Sequence, residues 1–293
     1  MDRVGVAVVL VSIIGLGFQQ VMVKLALPEI PALTQAALRS TGAAAVIAGA
    51  LWFTQPKAFA RDGTWTPGLW SAVLFACEFI ALYVALDLTN ASRAVLFLYT
   101  HVIFTVLFLS VVVPHERMRA SQWLGIVLSF LGVALALGVS GDVTARMLVG
   151  DALALAAGAF WAATTTVVKA TSLRAAPPFK ILLYQLAGSA VALALAAFVR
   201  GEAWPAKVSA LALGSMLYQT LFSVVVCFSI WFWLLARYRA GEVAAFTFLT
   251  PVIGVLAGWL VLGDPIAPGF AMAVAMGAAA AAIRSVRRLC AAM

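Results

Sequence analysis

Residues 91–103 read ASRAVLFLYTHVI, and residues 241–253 read GEVAAFTFLTPVI. Laid over one another they pair Ala94 with Ala244, Thr100 with Thr250, and Val102-Ile103 with Val252-Ile253. At nearly the same shift, about 145 to 150 residues, Lys24 falls on Lys169 and Cys77 on Cys227, so self-comparison divides the chain into two similar halves. The dividing line falls between residues 143 and 144, giving a first repeat of 1–143 and a second of 144–293.

Both stretches lie inside apolar runs. A window of about 19 residues finds ten such runs: Val4–Leu27, Pro31–Phe53, Pro67–Asp87, Ala91–Val113, Ser121–Val139, Val149–Lys169, Pro178–Val199, Ser209–Ala236, Glu242–Leu262 and Pro268–Leu289. Each is about 19 to 28 residues, enough at 1.5 Å per residue to cross about 30 Å of hydrocarbon. The expected fold is therefore all-α and polytopic, with ten transmembrane helices arranged as two five-helix repeats. An odd number of spans per repeat puts the second copy into the membrane upside down. Inverted repeats place a substrate at the repeat interface near the midplane.

Composition agrees with this. The chain of 293 residues is 65% hydrophobic and 10% charged, with mean hydropathy +1.07, whereas soluble domains carry roughly 25% charged residues. That excludes a soluble enzyme, a secreted scaffold and a disordered protein. Cys77, Cys227 and Cys290 are odd in number and lack CxxC or Cys/His spacing, so neither a disulfide framework nor a zinc site is indicated. The net charge of +8 is dispersed between apolar runs instead of gathered on one face, which argues against nucleic acid and for cytoplasmic loops. Arg3 precedes an apolar run long enough to span, with no small-residue cleavage site, so the first run reads as a retained helix and not a signal peptide.

Charge sets the orientation. With the N-terminus in the cytoplasm, the inner side holds Arg3, Lys57, Arg61, Arg117, Arg119, Lys169, Arg174, Lys180, Arg237, Arg239, Arg284, Arg287 and Arg288. The outer side holds Lys24, Arg93, Arg146, Arg200 and Lys207. The bias favours both termini inside.

The stretch Thr250-Pro251-Val252-Ile253-Gly254 through Gly263-Asp264-Pro265-Ile266 resembles a signature of EamA-type members of the drug/metabolite transporter superfamily. Its counterpart runs from Thr100 to Glu116-Arg117-Met118, followed by Gln122 and Gly125, and Lys24 and Ala37-Leu38-Arg39 also fit. Two departures are His101, where the family often has a helix-kinking Pro, and Asp264 in place of the usual Glu. Within the superfamily, the aromatic side chains and His101 look most like bacterial aromatic amino acid exporters. The resemblance implies export of amino acids or related metabolites across a bacterial inner membrane. Drug, purine or nucleoside carriers of the same fold stay open, as does a channel or membrane-embedded binding subunit.

Ionisable residues inside a membrane usually face a bundle interior or a wet cavity. Arg39, Glu78 and His101 lie about eight, nine and ten residues from the outer ends of the second, third and fourth spans, and so share one depth near the midplane. Gln20, Tyr218 and Gln219 come near the same level. This layer offers both signs to a zwitterionic ligand. Equally, Arg39 and Glu78 can pair with each other, and His101 can simply bond a neighbouring helix. If burial controls Glu78 it can carry a proton; if Arg39 controls it, the pair is fixed.

Trp161 lies deep in the sixth span with Thr164, Thr165 and Val168 at helical spacing, which suits either a pocket wall or packing. Trp52, Trp65, Trp70 and Trp259 lie near span ends and suit an interfacial belt. Tyr99 and His101 are two residues apart, about 200° on an ideal helix, so Tyr99 joins His101, Phe97 and Thr100 only if the helix is bent. Lys24 and Lys169 lie close enough to helix ends to snorkel. Pro251 is a candidate hinge. Gly254 and Gly258 form a GxxxG step, and Gly125 and Gly132 a heptad step, serving packing within one bundle or a weak homodimer.

Gly138-Val139-Ser140-Gly141 matches the GxSG of intramembrane serine proteases. Ser140, however, ends the fifth span while His101 is buried about ten residues into the fourth, so a nucleophile–base hydrogen bond of about 3 Å is out of reach. Walker, Rossmann and metal motifs are missing from the sequence, so no cofactor is expected. The expected partners are a small-molecule substrate and membrane lipid.

Overall fold

The computed structural model describes residues 2–60, 62–112, 143–237 and 249–266, and the regular structure among them is helical throughout. Helix α1 is Arg3–Ala26, α2 Ala32–Thr54, α3 Trp65–Leu88, α4 Ala91–Leu98, α5 His101–Val112, α6 Ala145–Ala170 and α7 Pro178–Val199. Helix α8, Ala210–Leu217, widens into a π-helical segment, Tyr218–Cys227, and narrows again into α9, Phe228–Arg237. Helix α10, Leu249–Ala257, runs into a second π segment, Gly258–Leu262, and stops at Gly263, whose φ of 71° lies in the left-handed region that glycine tolerates.

The protein is an all-α polytopic membrane protein. Among the described residues seven stretches are long and apolar enough to cross a membrane, against the ten expected: Val4–Ala26, Ala32–Thr54, Trp65–Leu88, Ala91–Val112, Ala145–Ala170, Pro178–Val199 and Ala210–Trp231. Leu249–Leu262 is a shorter apolar helix covering part of the ninth expected span. The fifth and tenth spans, the GxSG stretch, Gly125 and Gly132 lie outside the described residues. Large apolar side chains such as Val11, Ile14, Phe53, Val191, Leu195 and Phe198 are exposed on the outer surface, as lipid-facing positions require. Trp52, Trp65, Trp70 and Trp259 are likewise exposed near helix ends.

The most extensive packings are α3 on α6, α2 on α7, α3 on α7, α5 on α6 and α1 on α10, and each joins a helix of the first half to one of the second. Leu82, Tyr83, Leu86, Leu182, Leu186 and Leu193 form the buried centre. Small residues bring these helices together: a Cβ at Gly188 would lie 2.5 Å from that of Ala72, and one at Gly17 would lie 2.8 Å from Ile253. The GxxxG step is used within the chain, because Gly254 faces Val95 and Gly17 while Gly258 faces Ser92.

Polar contacts between the halves lie at both ends of the bundle. At one end Pro31, the N-cap of α2, has no side-chain acceptor to offer. Glu202, from the loop after α7, supplies it: its carboxylate accepts from Thr34 N (2.8 Å), Thr34 Oγ1 (3.0 Å) and Leu33 N (3.2 Å). In return Glu29 of the α1–α2 loop accepts from Ser209 N and Oγ, both at 2.6 Å, at the start of α8. These bonds, the side-chain one foremost, hold the Glu29 carboxyl below its usual range. Asp264 caps α4 through Ser92 N and Oγ, both at 3.0 Å.

At the other end Lys180, in the first turn of α7, donates to Asp62 (2.8 Å) and to Ala60 O (3.1 Å). Thr64 and Tyr184 share a hydroxyl–hydroxyl bond of 3.0 Å. The bond from Lys180, with help from Thr64, pulls the Asp62 carboxyl down to about 2. The α7–α8 loop thus holds the start of α2 at one end, and the α2–α3 loop holds the start of α7 at the other.

Candidate functional site

The fourth expected span is broken. Helix α4 ends at Leu98 and α5 begins at His101, with neither Pro nor Gly at the junction. Thr100 Oγ1 donates to Phe97 O (2.6 Å), and the backbone tightens into i→i−3 bonds, such as Ile103 N to Thr100 O at 2.8 Å. Gly158 of α6 makes room for this turn. A Cβ there would lie 2.8 Å from Leu98 O and 3.2 Å from His101 N.

The break brings Tyr99 and His101 to one place, which a straight helix does not allow. The His101 ring stacks on Trp161 at 3.8 Å with 14° between the planes. Tyr99 meets both edge-on, 5.5 Å from His101 and 5.9 Å from Trp161. His101 Nδ1 is buried without a hydrogen-bond partner among the described residues. The hydroxyls beside Trp161 are turned onto their own helix: Thr164 donates to Phe160 O and Thr165 to Trp161 O, as Ser and Thr inside helices commonly do. Thr165 is half-buried and Thr164 buried.

Arg39 is fully buried on α2. Positions 75, 79 and 83 recur every four residues on α3 and so present one aromatic face, Phe75-Phe79-Tyr83. The Arg39 guanidinium carbon stands 3.8 Å from the Phe79 ring centroid and 5.6 Å from that of Tyr83. Among the described residues, none of its three nitrogens has a hydrogen-bond partner. No ion pair joins it to Glu78, which is 3% exposed and whose Oε2 also lacks a partner. The pairing of Arg39 with Glu78 that their common depth permits is therefore not made. The ring of the residue next to Glu78 takes the guanidinium instead.

Gln219, at the start of the first π segment, is fully buried and accepts from Tyr83 Oη (2.8 Å) while donating to Gln35 Oε1 (3.0 Å). Gln35 passes its own donors to Ile30 O (2.8 Å) and Val23 O (3.3 Å). Tyr218 is half-buried and donates to Gly15 O at 2.9 Å. Ser223 donates to Gln19, so the widened helix is bound to α1 and α2 along its length. Gln20 is 5% exposed, with Oε1 unpartnered. Pro251 is half-buried near the start of α10, with the second π segment beyond it.

Reading by sequence missed three features. Arg93, counted there among outer loop charges, is 9% exposed and paired with Asp151 of α6: Nε lies 3.2 Å from both carboxylate oxygens, Nη2 completes a fork, and Thr89 Oγ1 adds a bond of 3.0 Å. Asp151, ionisable within an apolar run, was the signal available. The second feature is the Phe79–Tyr83 ring pair beside Arg39, whose i, i+4 spacing is visible in the sequence. The third is the Gln35–Gln219 link, which no local pattern marks. Among the described residues no group of His, Cys, Asp and Glu is placed to hold a metal ion. What the arrangement can do is bind. Among the described residues it sets an unpartnered guanidinium, an unpartnered carboxyl oxygen and an aromatic wall inside the helix bundle.

Comparison with known proteins gives three findings. The sequence model of the EamA-like transporter family matches residues 3–138 and again residues 148–286. A Bacillus subtilis (strain 168) protein described as "Uncharacterized transporter YvbV" is 29% identical over 158 residues, 52% of this chain and 49% of that protein. The match thus spans about half the length of this curated relative. A solved crystal structure superposes with a TM-score of 0.74 at 18% identity, covering 99% of each chain, which shows likeness of fold.

Proposed function

Because the chain belongs to the EamA-like transporter family, we propose that it is an exporter of amino acids with apolar or aromatic side chains, or of closely related metabolites. It has ten helices in two inverted five-helix halves, 1–143 and 144–293. It works in a bacterial inner membrane with both termini cytoplasmic. The halves rock against each other about a central site, giving alternating access. The observation that carries the reading is the Tyr99–His101–Trp161 cluster at the broken helix. An aromatic wall of this kind stacks on an aromatic or apolar side chain, worth about 0.5 to 1.5 kcal/mol per ring pair. The reciprocal clasps at the two ends, α7–α8 loop on α2 and α2–α3 loop on α7, support the inverted relation.

The test is counterflow in proteoliposomes, labelled against unlabelled amino acid, for the wild type and Trp161→Ala. Exchange without ion conductance that falls about tenfold in the variant supports the proposal. Conductance far above carrier turnover points to a channel and rejects it, and no exchange of any apolar or aromatic amino acid removes the substrate class.

A further inference from the structure

We propose that Arg39 selects for a carboxylate on the transported solute, and that this confines the site to zwitterions that keep their carboxyl group. The inference rests on reading the buried layer as the substrate site, and it narrows that reading by excluding purines, nucleosides and simple amines. A guanidinium presents five N–H donors in one plane. Burying it without acceptors is strongly unfavourable. The Phe79 ring centroid lies 3.8 Å from the Arg39 guanidinium carbon, and a ring offers its π face but no lone-pair acceptor, so the three buried nitrogens stay without a hydrogen-bond partner among the described residues. A carboxylate is the planar acceptor that such a fork matches two bonds at a time.

The described residues do not supply that acceptor. Among the described residues every carboxylate but one is engaged elsewhere: Asp2 with Gly5 N, Glu29 with Ser209, Asp62 with Lys180, Asp87 with Arg200, Asp151 with Arg93, Glu202 with the start of α2 and Asp264 with Ser92. The exception is Glu78, which stands outside ion-pair distance of Arg39. The amide oxygens of Gln219 and Gln35 are engaged by Tyr83 and Gln219, and Gln20 Oε1, though unpartnered, makes no bond to Arg39.

The balance of charge identifies the ligand group. Among the described residues the buried layer holds one guanidinium, Arg39, and one carboxyl, Glu78, that no side chain engages, because the other buried cations Arg93 and Lys180 are paired with Asp151 and Asp62. A zwitterion brings one charge of each sign and matches both. A phosphate monoester brings about two negative charges against a single guanidinium and leaves Glu78 facing an anion. Glu78, the one described carboxyl left unengaged, is the group available to accept from the ammonium group.

The test compares ligands before it compares variants. Wild-type protein in detergent is heated with each of a panel of apolar and aromatic L-amino acids, with their methyl esters and with the corresponding decarboxylated amines. At equal concentration the acids raise the unfolding temperature, and esters and amines bind at least about tenfold more weakly. Arg39→Gln removes the preference for acid over ester. Arg39→Lys, which keeps the charge and loses the fork, retains part of it and guards against a variant that fails to fold. Equal stabilisation of the wild type by acids and esters, or none by any acid, overturns the assignment. Counterflow separates the two readings. Acid-selective binding without exchange leaves the Arg39 site standing and removes transport, whereas equal exchange of acids and esters does the reverse.

Discussion

Replacing Asp151 by Asn leaves Arg93 buried beside a neutral amide, and the structure sets how much that matters. Asp151 receives both Arg93 Nε and Nη2 and the Thr89 hydroxyl, and the pair's side chains are 11% and 5% exposed. Water cannot easily reach the orphaned guanidinium. Nor can α6 easily move to relieve it, because a Cβ at Gly150 would already lie 3.0 Å from Thr89 N. Breaking a buried pair on one side costs about 3 to 5 kcal/mol, whereas exchanging both partners for apolar residues is often close to neutral. At roughly 2 to 4 °C per kcal/mol, Asp151→Asn lowers the apparent unfolding temperature by about 6 to 20 °C. The Arg93→Met/Asp151→Leu double variant recovers more than half of that. The assay is the monodisperse fraction surviving a temperature series in detergent. A single variant within about 2 °C of wild type, a loss under about 1 kcal/mol, refutes the reasoning, as does a double variant whose loss equals the sum of the singles.

Gly158→Val drives a branched side chain into Leu98 O and the amide of His101, so it should cost about 1 to 3 kcal/mol and lower exchange, whereas Gly49→Ala, with nothing within 4 Å, leaves both unchanged. Glu202→Ala removes the acceptor at the start of α2 and should cost about 0.5 to 2 kcal/mol, with Glu202→Gln intermediate; equal unfolding temperatures for all three forms would count against the clasp. Asp62 is held at about 2 by Lys180, below about 3.9 in an unfolded chain. Its stabilisation is therefore complete above about pH 4 and lost as pH falls toward 2. The gap in unfolding temperature between wild type and Asp62→Asn should close over that interval, and a pH-independent gap contradicts the assignment.

The apolar helices were legible because lipid imposes length and composition on each run separately, and among the described residues seven spanning stretches fall where hydropathy places them. The shared burial of Arg39 and Glu78 was legible for the same reason, since depth follows from position along a span. What each charge does with its depth was not legible. Arg39 turns to the Phe79 ring, and Arg93 leaves the row of outer positive charges for Asp151, because the deciding partner sits on a different helix. The break after Leu98 hides similarly. Its own sequence lacks Pro and Gly, and the small residue that accommodates it is Gly158 on α6.

The clasp between Glu202 and α2 has a consequence for how the chain is made. The Thr34 amide and its acceptor are 168 residues apart, so at roughly 5 to 20 residues per second the ribosome adds the second after about 8 to 34 s. Throughout that delay the α1–α2 hairpin sits in the bilayer with the opening amides of α2 answered only by water and headgroups. Lys180, by contrast, meets an Asp62 that was synthesised 118 residues earlier and is already waiting. One end of the bundle is thus closed by a residue arriving at a finished loop. The other is closed by a loop reaching back to an unfinished helix, and a ribosome stalled before Glu202 leaves that end unsealed.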